Sequence, residues 1–173
     1  MTIPTISEAD ARRLEEELDP EMSFRKLAAL PSLLVGALLL VLSLFHYYTA
    51  GFGLLEETTH RGIHLAFVIG LIFLVFAAVP ARGKTVGRSS LLAPGGISLV
   101  DWALAAAAAV ASLYVPWIFH DLADRVGNPN MLDVVMGSAL IILLLEATRR
   151  SIGWGLPLIA IFSIVYAIWG RWF

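Results

Sequence analysis

Four histidines, His46, His60, His64 and His120, are the residues of this chain best suited to hold a proton or a metal. His46 closes one apolar run and His64 opens the next on the same side of a bilayer, so bis-histidine haem ligation is geometrically conceivable. Ordinary interfacial hydrogen bonding is the commoner use of such residues. Three carboxylates come next. Glu146 precedes Arg149 and Arg150 by three and four residues, the spacing of an ion pair on one helix face; pairing with a partner subunit is the alternative. Asp133, after Asn128-Pro129-Asn130, and Asp101 each stand at the start of an apolar run, where a helix dipole favours a carboxylate. None of the three falls at mid-membrane, where a coupling-ion site in a broken helix is expected. The chain has no Cys, which removes disulfides, thiolate metal sites and Cys nucleophiles together. It also has no HExxH, nucleophile elbow, P-loop, Gly-rich dinucleotide motif or well-spaced Ser-His-Asp set. No catalytic residue, metal ligand or cofactor is assigned from these patterns.

The elements that position these residues are set by composition. Of 173 residues 58% are hydrophobic and 15% charged, with a mean hydropathy of +0.80. Soluble domains are less apolar and more charged. A net charge of −2 gives no basic field for nucleic acid. A span needs about 20 predominantly apolar residues. Uncharged runs cover Leu27–Leu55, Gly62–Ala81, Trp102–His120, Val134–Leu145 and Ser151–Gly170. The fourth is shortest and becomes a span only if Asp133 and Glu146 sit near the two interfaces, about 20 Å apart along a helix. The expectation is an all-α, polytopic membrane bundle of about five transmembrane helices, because lipid-exposed backbone must satisfy its own hydrogen bonds.

Nine of the twelve Lys and Arg residues precede span 1, join spans 2 and 3, or join spans 4 and 5. The positive-inside rule therefore predicts a cytoplasmic N-terminus and, after five spans, an extracytoplasmic C-terminus. Tyr47, Tyr48, Phe52, Trp117, Phe119, Trp169, Trp172 and Phe173 mark the outer interface, Trp102 and Trp154 the inner one. Residues 1–26 form a cytoplasmic tail with a short helix expected from Ser7 to about Leu18, ended by Asp19-Pro20. That helix is either solvated or laid along the membrane surface against a partner. The Gly- and Ser-rich loop Ala81–Ser98 reads as flexible, and the outer loops, about Gly53–Arg61 and His120–Asn130, are short. On span 3, Ala103, Ala107 and Ala111 recur every four residues and permit a close helix approach.

The stretch from Asp133 to Gly170 resembles the small (Q-type) membrane subunit of tripartite ATP-independent periplasmic (TRAP) transporters, in the branch served by TAXI-type binding proteins. The element Leu145–Arg150 (LEATRR), followed by a Gly, Pro157 and an aromatic-rich close, is its most specific part. His46–Leu55, His60–Phe67 and Ser98–Trp102 agree with it, so the resemblance covers roughly residues 30–173. It implies a non-catalytic subunit in a bacterial or archaeal cytoplasmic (inner) membrane. Residues 27–150 would be the four-helix small-subunit domain, and 151–173 a fifth, connector-like helix. The implied partners are a large (M-type) multi-span elevator subunit, which carries the substrate and sodium sites, and a periplasmic TAXI-type substrate-binding protein. The implied cargo is an organic acid, a carboxylate such as a C4-dicarboxylate or 2-oxoglutarate. Glu146, Arg149, Arg150, Ala103, Ala107, Ala111 and Pro157 are then the interface candidates, and Glu56, Glu57, Asp121 and Asp124 the outer-face docking candidates. The competing expectation is a haem-bearing anchor of a redox complex built on His46 and His64; an independent enzyme is third.

Overall fold

The structure, a computed structural model, describes Ser7, Arg25 and residues 27–53, 55–78 and 94–170. The expected tail helix beyond Ser7, residues 81–93 of the Ala81–Ser98 loop, and Trp172 and Phe173 lie outside the described residues. The regular structure is helical: α1 Ala29–Gly51, α2 Glu57–Val75, α3 Leu99–Trp117, the six-residue α4 Phe119–Asp124, α5 Met131–Ile152 and α6 Gly155–Trp169. Four of these, α1, α2, α3 and α5, are long and apolar enough to cross a membrane; α6 is a shorter apolar helix.

Helix ends depart from the charge-free runs for local reasons. The second helix starts at Glu57, before the uncharged run, because an acidic first turn suits the helix dipole and Glu57 pairs with Arg61 one turn on. Ser98 caps α3, accepting from the Asp101 backbone N–H at 3.1 Å. A reciprocal capping box opens α5: Asn130 and Asp133 each accept from the other's backbone N–H at 2.8 Å. The fourth span, shortest as a charge-free run, is thus a helix of 22 residues that takes both flanking carboxylates inside its ends. The fifth is the short one. Ser151 and Ile152 belong to α5, Gly153 turns the chain at φ 92°, and α6 runs only 15 residues, about 22 Å. Pro157 sits in its first turn, where its missing N–H costs no helical bond. The fourth helix, α4, takes the last two residues of the expected third run and the first four beyond it, within the stretch expected as an outer loop.

The centre of the bundle is α2 packed on α3, with α5 against both, α1 on α2, and α6 against α5. Ile69, Phe73, Ala108, Ala111, Leu143 and Ala147 form one core, contributed by α2, α3 and α5. Val35, Leu71, Leu74 and Ile97 form a second beneath α1. Lipid offers little hydrophobic drive for helices to associate, so closeness of fit carries the packing. Gly62 shows how close α2 and α3 come: an added Cβ would lie 2.3 Å from Pro116 Cγ and 3.0 Å from the Ser112 carbonyl. Gly95, at φ 67°, tucks under Pro31 in the first turn of α1 and accepts from the Ala28 N–H at 3.2 Å. Every residue of α6 is exposed except buried Pro157 and half-buried Ala160, as an apolar helix against lipid or another chain can be.

Candidate functional site

All described Asp, Glu and Arg residues lie within about two turns of helix ends or in the connections, and they gather at two opposite ends of the bundle. At the first end Asp101 is the hub. Its Oδ1 accepts from Arg150 Nη1 at 2.6 Å, and its Oδ2 accepts from Arg25 and from the Ser98 hydroxyl at 2.7 Å. Arg150 also donates through Nε to Glu146 Oε1 at 2.7 Å. Glu146 in turn receives a fork from Arg149, Nε and Nη2 each at 2.7 Å. Arg149 Nη2 donates to the Ala78 carbonyl at 3.1 Å, just beyond α2. The chain of charges Arg25–Asp101–Arg150–Glu146–Arg149 therefore ties the segment before α1, the start of α3, the end of α5 and the end of α2 together. The Arg150 and Asp101 side chains are only 3% and 5% exposed. Phe73 closes over the Arg150 guanidinium at 4.9 Å, while Arg149 stacks on Trp154 at 5.5 Å.

The opposite end holds a second cluster around Asp133. Tyr114 of α3 donates to Oδ1 at 2.5 Å; Arg125 donates to Oδ2 at 2.7 Å and to Oδ1 at 3.2 Å. Arg125 Nε also donates to the Asp121 carbonyl at 3.2 Å, which ties α4 to the start of α5. At this same end His46 Nε2 and His64 Nδ1 are 2.9 Å apart, so the rings share a hydrogen bond directly. His120 stays apart from them, exposed and edge-on to Phe119.

The residues singled out from the sequence are distributed unevenly over these features. Glu146, Arg149 and Arg150 come together as their spacing predicts, and Asp101 joins them across the bundle. Arg25, Tyr114 and Arg125 complete the clusters without having been singled out; the only signal for Arg25 was its place among the basic residues of the same expected side. Ala111 is in the core, whereas Ala103 and Ala107 face outward, open to lipid or another chain. Pro157 is fully buried. Glu56, Glu57, Asp121 and Asp124 are all exposed; Glu56 accepts from the Thr59 hydroxyl at 3.0 Å, and Glu57 pairs with Arg61.

Chemically, Asp101, Asp133 and Glu146 are each engaged by guanidinium groups, an arrangement suited to joining helices. Among the described residues no three His, Asp or Glu side chains are arranged to hold a metal ion. No protein-family model, curated protein or solved structure matches this chain.

Proposed function

We propose that the chain is the small, non-catalytic membrane subunit of a sodium-coupled TRAP transporter for organic acids, bracing a large elevator-type subunit. In this reading the Arg150 end is cytoplasmic and the Asp133 end extracytoplasmic. Glu56, Glu57, Asp121 and Asp124 then contribute to the surface where a periplasmic TAXI-type binding protein docks. The α6 helix leads toward the large subunit. The observation that carries the reading is a coincidence of two kinds of signal. The element Leu145–Arg150, the most specific part of the resemblance, supplies the pivot of the buried ion chain at Arg150. A second support is the confinement of the described charges to the two ends, since a substrate or coupling-ion site is expected near the middle of a span.

Affinity purification of the full chain from its native membrane in mild detergent tests this directly. A much larger multi-span protein should co-purify, and liposomes should take up an organic acid with sodium only when both proteins and the binding protein are present. Sodium-driven uptake by this chain alone would overturn the proposal. The haem-anchor reading draws on the closeness of His46 and His64. Their nitrogens hydrogen-bond directly at 2.9 Å, and iron with its porphyrin plane does not fit between them as placed. A Soret band in the purified complex would reinstate it.

A further inference from the structure

Neither ion cluster uses the histidines at the Asp133 end. His46 of α1 and His64 of α2 meet at 2.9 Å, with ring centres 4.9 Å apart. His60, one turn before His64, lies 5.3 Å from the His46 ring and 5.1 Å from the Phe45 ring. A neutral imidazole has one donor and one acceptor nitrogen, so two neutral rings form one N–H···N bond when one presents its N–H and the other its bare nitrogen. One added proton leaves that bond in place, now with an imidazolium donating to a neutral ring, which strengthens it. A second added proton leaves two donors facing each other and two like charges in contact, with a third imidazole alongside.

Among the described residues no carboxylate is paired with these rings, although Glu56, one turn before His60, keeps its charge. On α2, Glu57 is paired with Arg61; in the turn before it, Glu56 accepts from Thr59. Tyr47 and Tyr48 of α1 are exposed beside Phe52. The facing helix α3 carries Asp101 and Tyr114, engaged by Arg25 and Arg150 and by Asp133. Among the described residues, the ion pairs all join carboxylates to arginine, and none reaches these three rings.

We propose that His46, His60 and His64 form a proton-binding site that clasps α1 to α2 while the His46–His64 pair carries at most one added proton, and releases that end of the helix pair when both rings of the pair are protonated. At the other end α1 stays held through Val35 against Leu71, Leu74 and Ile97, so the opening is confined to the histidine end. His60 and His64 lie in the first two turns of α2, at the end of the bundle where the charged residues gather.

The full chain in lipid nanodiscs tests this. It has no Cys, so spin labels on Leu44→Cys and Thr58→Cys report the α1–α2 separation, and imidazole nitrogen resonances report protonation. Lowering the pH from about 8 to about 5 should protonate the His46–His64 pair in two separate steps, with a longer label distance appearing at the second. His46→Gln keeps a hydrogen-bonding partner for His64 but cannot titrate, and should abolish the change in distance. His64→Gln should do the same, and serves where the first variant fails to fold. A label distance that stays constant across the range in the parent protein, or a folded Gln variant that keeps the parent's response, would overturn the proposal.

Discussion

Asp101 and Asp133 occupy the same local position at opposite ends of the bundle. Each is three residues after a capping side chain, Ser98 or Asn130, in the first turn of its helix, and each is gripped by arginine. They differ in where the arginines come from. Asp133 takes Arg125 from eight residues away and Tyr114 from nineteen, so its cluster fastens one turn of chain to one neighbouring helix. Asp101 takes Arg150 from 49 residues away and Arg25 from 76. The same cap is thus a local fastening at one end and a clasp across four segments at the other. Burial follows the same division: the Arg150 side chain is 3% exposed and that of Arg125 27%.

That contrast predicts unequal costs for the same substitution. Asp101→Asn leaves Arg25 and Arg150 without their shared carboxylate in a buried setting, a loss on the order of 3–5 kcal/mol. The purified variant should melt well below the parent and yield less folded protein. Equal melting temperatures for Asp101→Asn and Asp133→Asn would break the comparison between the ends.

Close helix approach ranks next. Gly62→Ala drives a methyl group toward Pro116 and the Ser112 carbonyl, where the ring and the backbone have little freedom to give. Overpacking of this kind costs about 1–3 kcal/mol, read as a lower melting temperature with unchanged helical content. Asp133→Asn comes below it. Arg125 keeps the Asp121 carbonyl and is partly exposed, and the Asn side chain can still cap. Its effect should appear as faster amide exchange at the start of α5, with a smaller drop in melting temperature than for Gly62→Ala.

The cores of the helices were legible because length and absence of charge are properties of a single segment. Their ends were less so. The fourth run was charge-free only from Val134 to Leu145, yet α5 extends beyond both carboxylates, because a capping box and two arginines satisfy them in place. The fifth run was long in sequence but shortened in space by the turn at Gly153. Of the sites, the Glu146 pairings followed from helical spacing, whereas the joining of Asp101 to Arg25 and Arg150 depends on how three segments pack. Ala103, Ala107 and Ala111 show the same limit. Their spacing marks a smooth stripe, but the buried face of α3 passes through Ala108, Ala111 and Ser112.

The smallest effect expected is of opposite sign. Ser112 sits inside the α2–α3 contact, 3% exposed, and its hydroxyl has no hydrogen-bond partner. Four residues on, Pro116 has no N–H to offer the Ser112 carbonyl, so the helix is short of a donor at the same place. A buried hydroxyl without a partner costs free energy that a methyl group in its place does not. Ser112→Ala should therefore leave the melting temperature unchanged or raise it, by an amount equivalent to about 1 kcal/mol at most. This variant also sharpens the contrast between the ends, since here a polar group is removed near the Asp133 end and the bundle should not weaken. A clear fall in melting temperature would mean that the hydroxyl is satisfied, most simply by a water molecule held between it and the carbonyl that Pro116 leaves unserved.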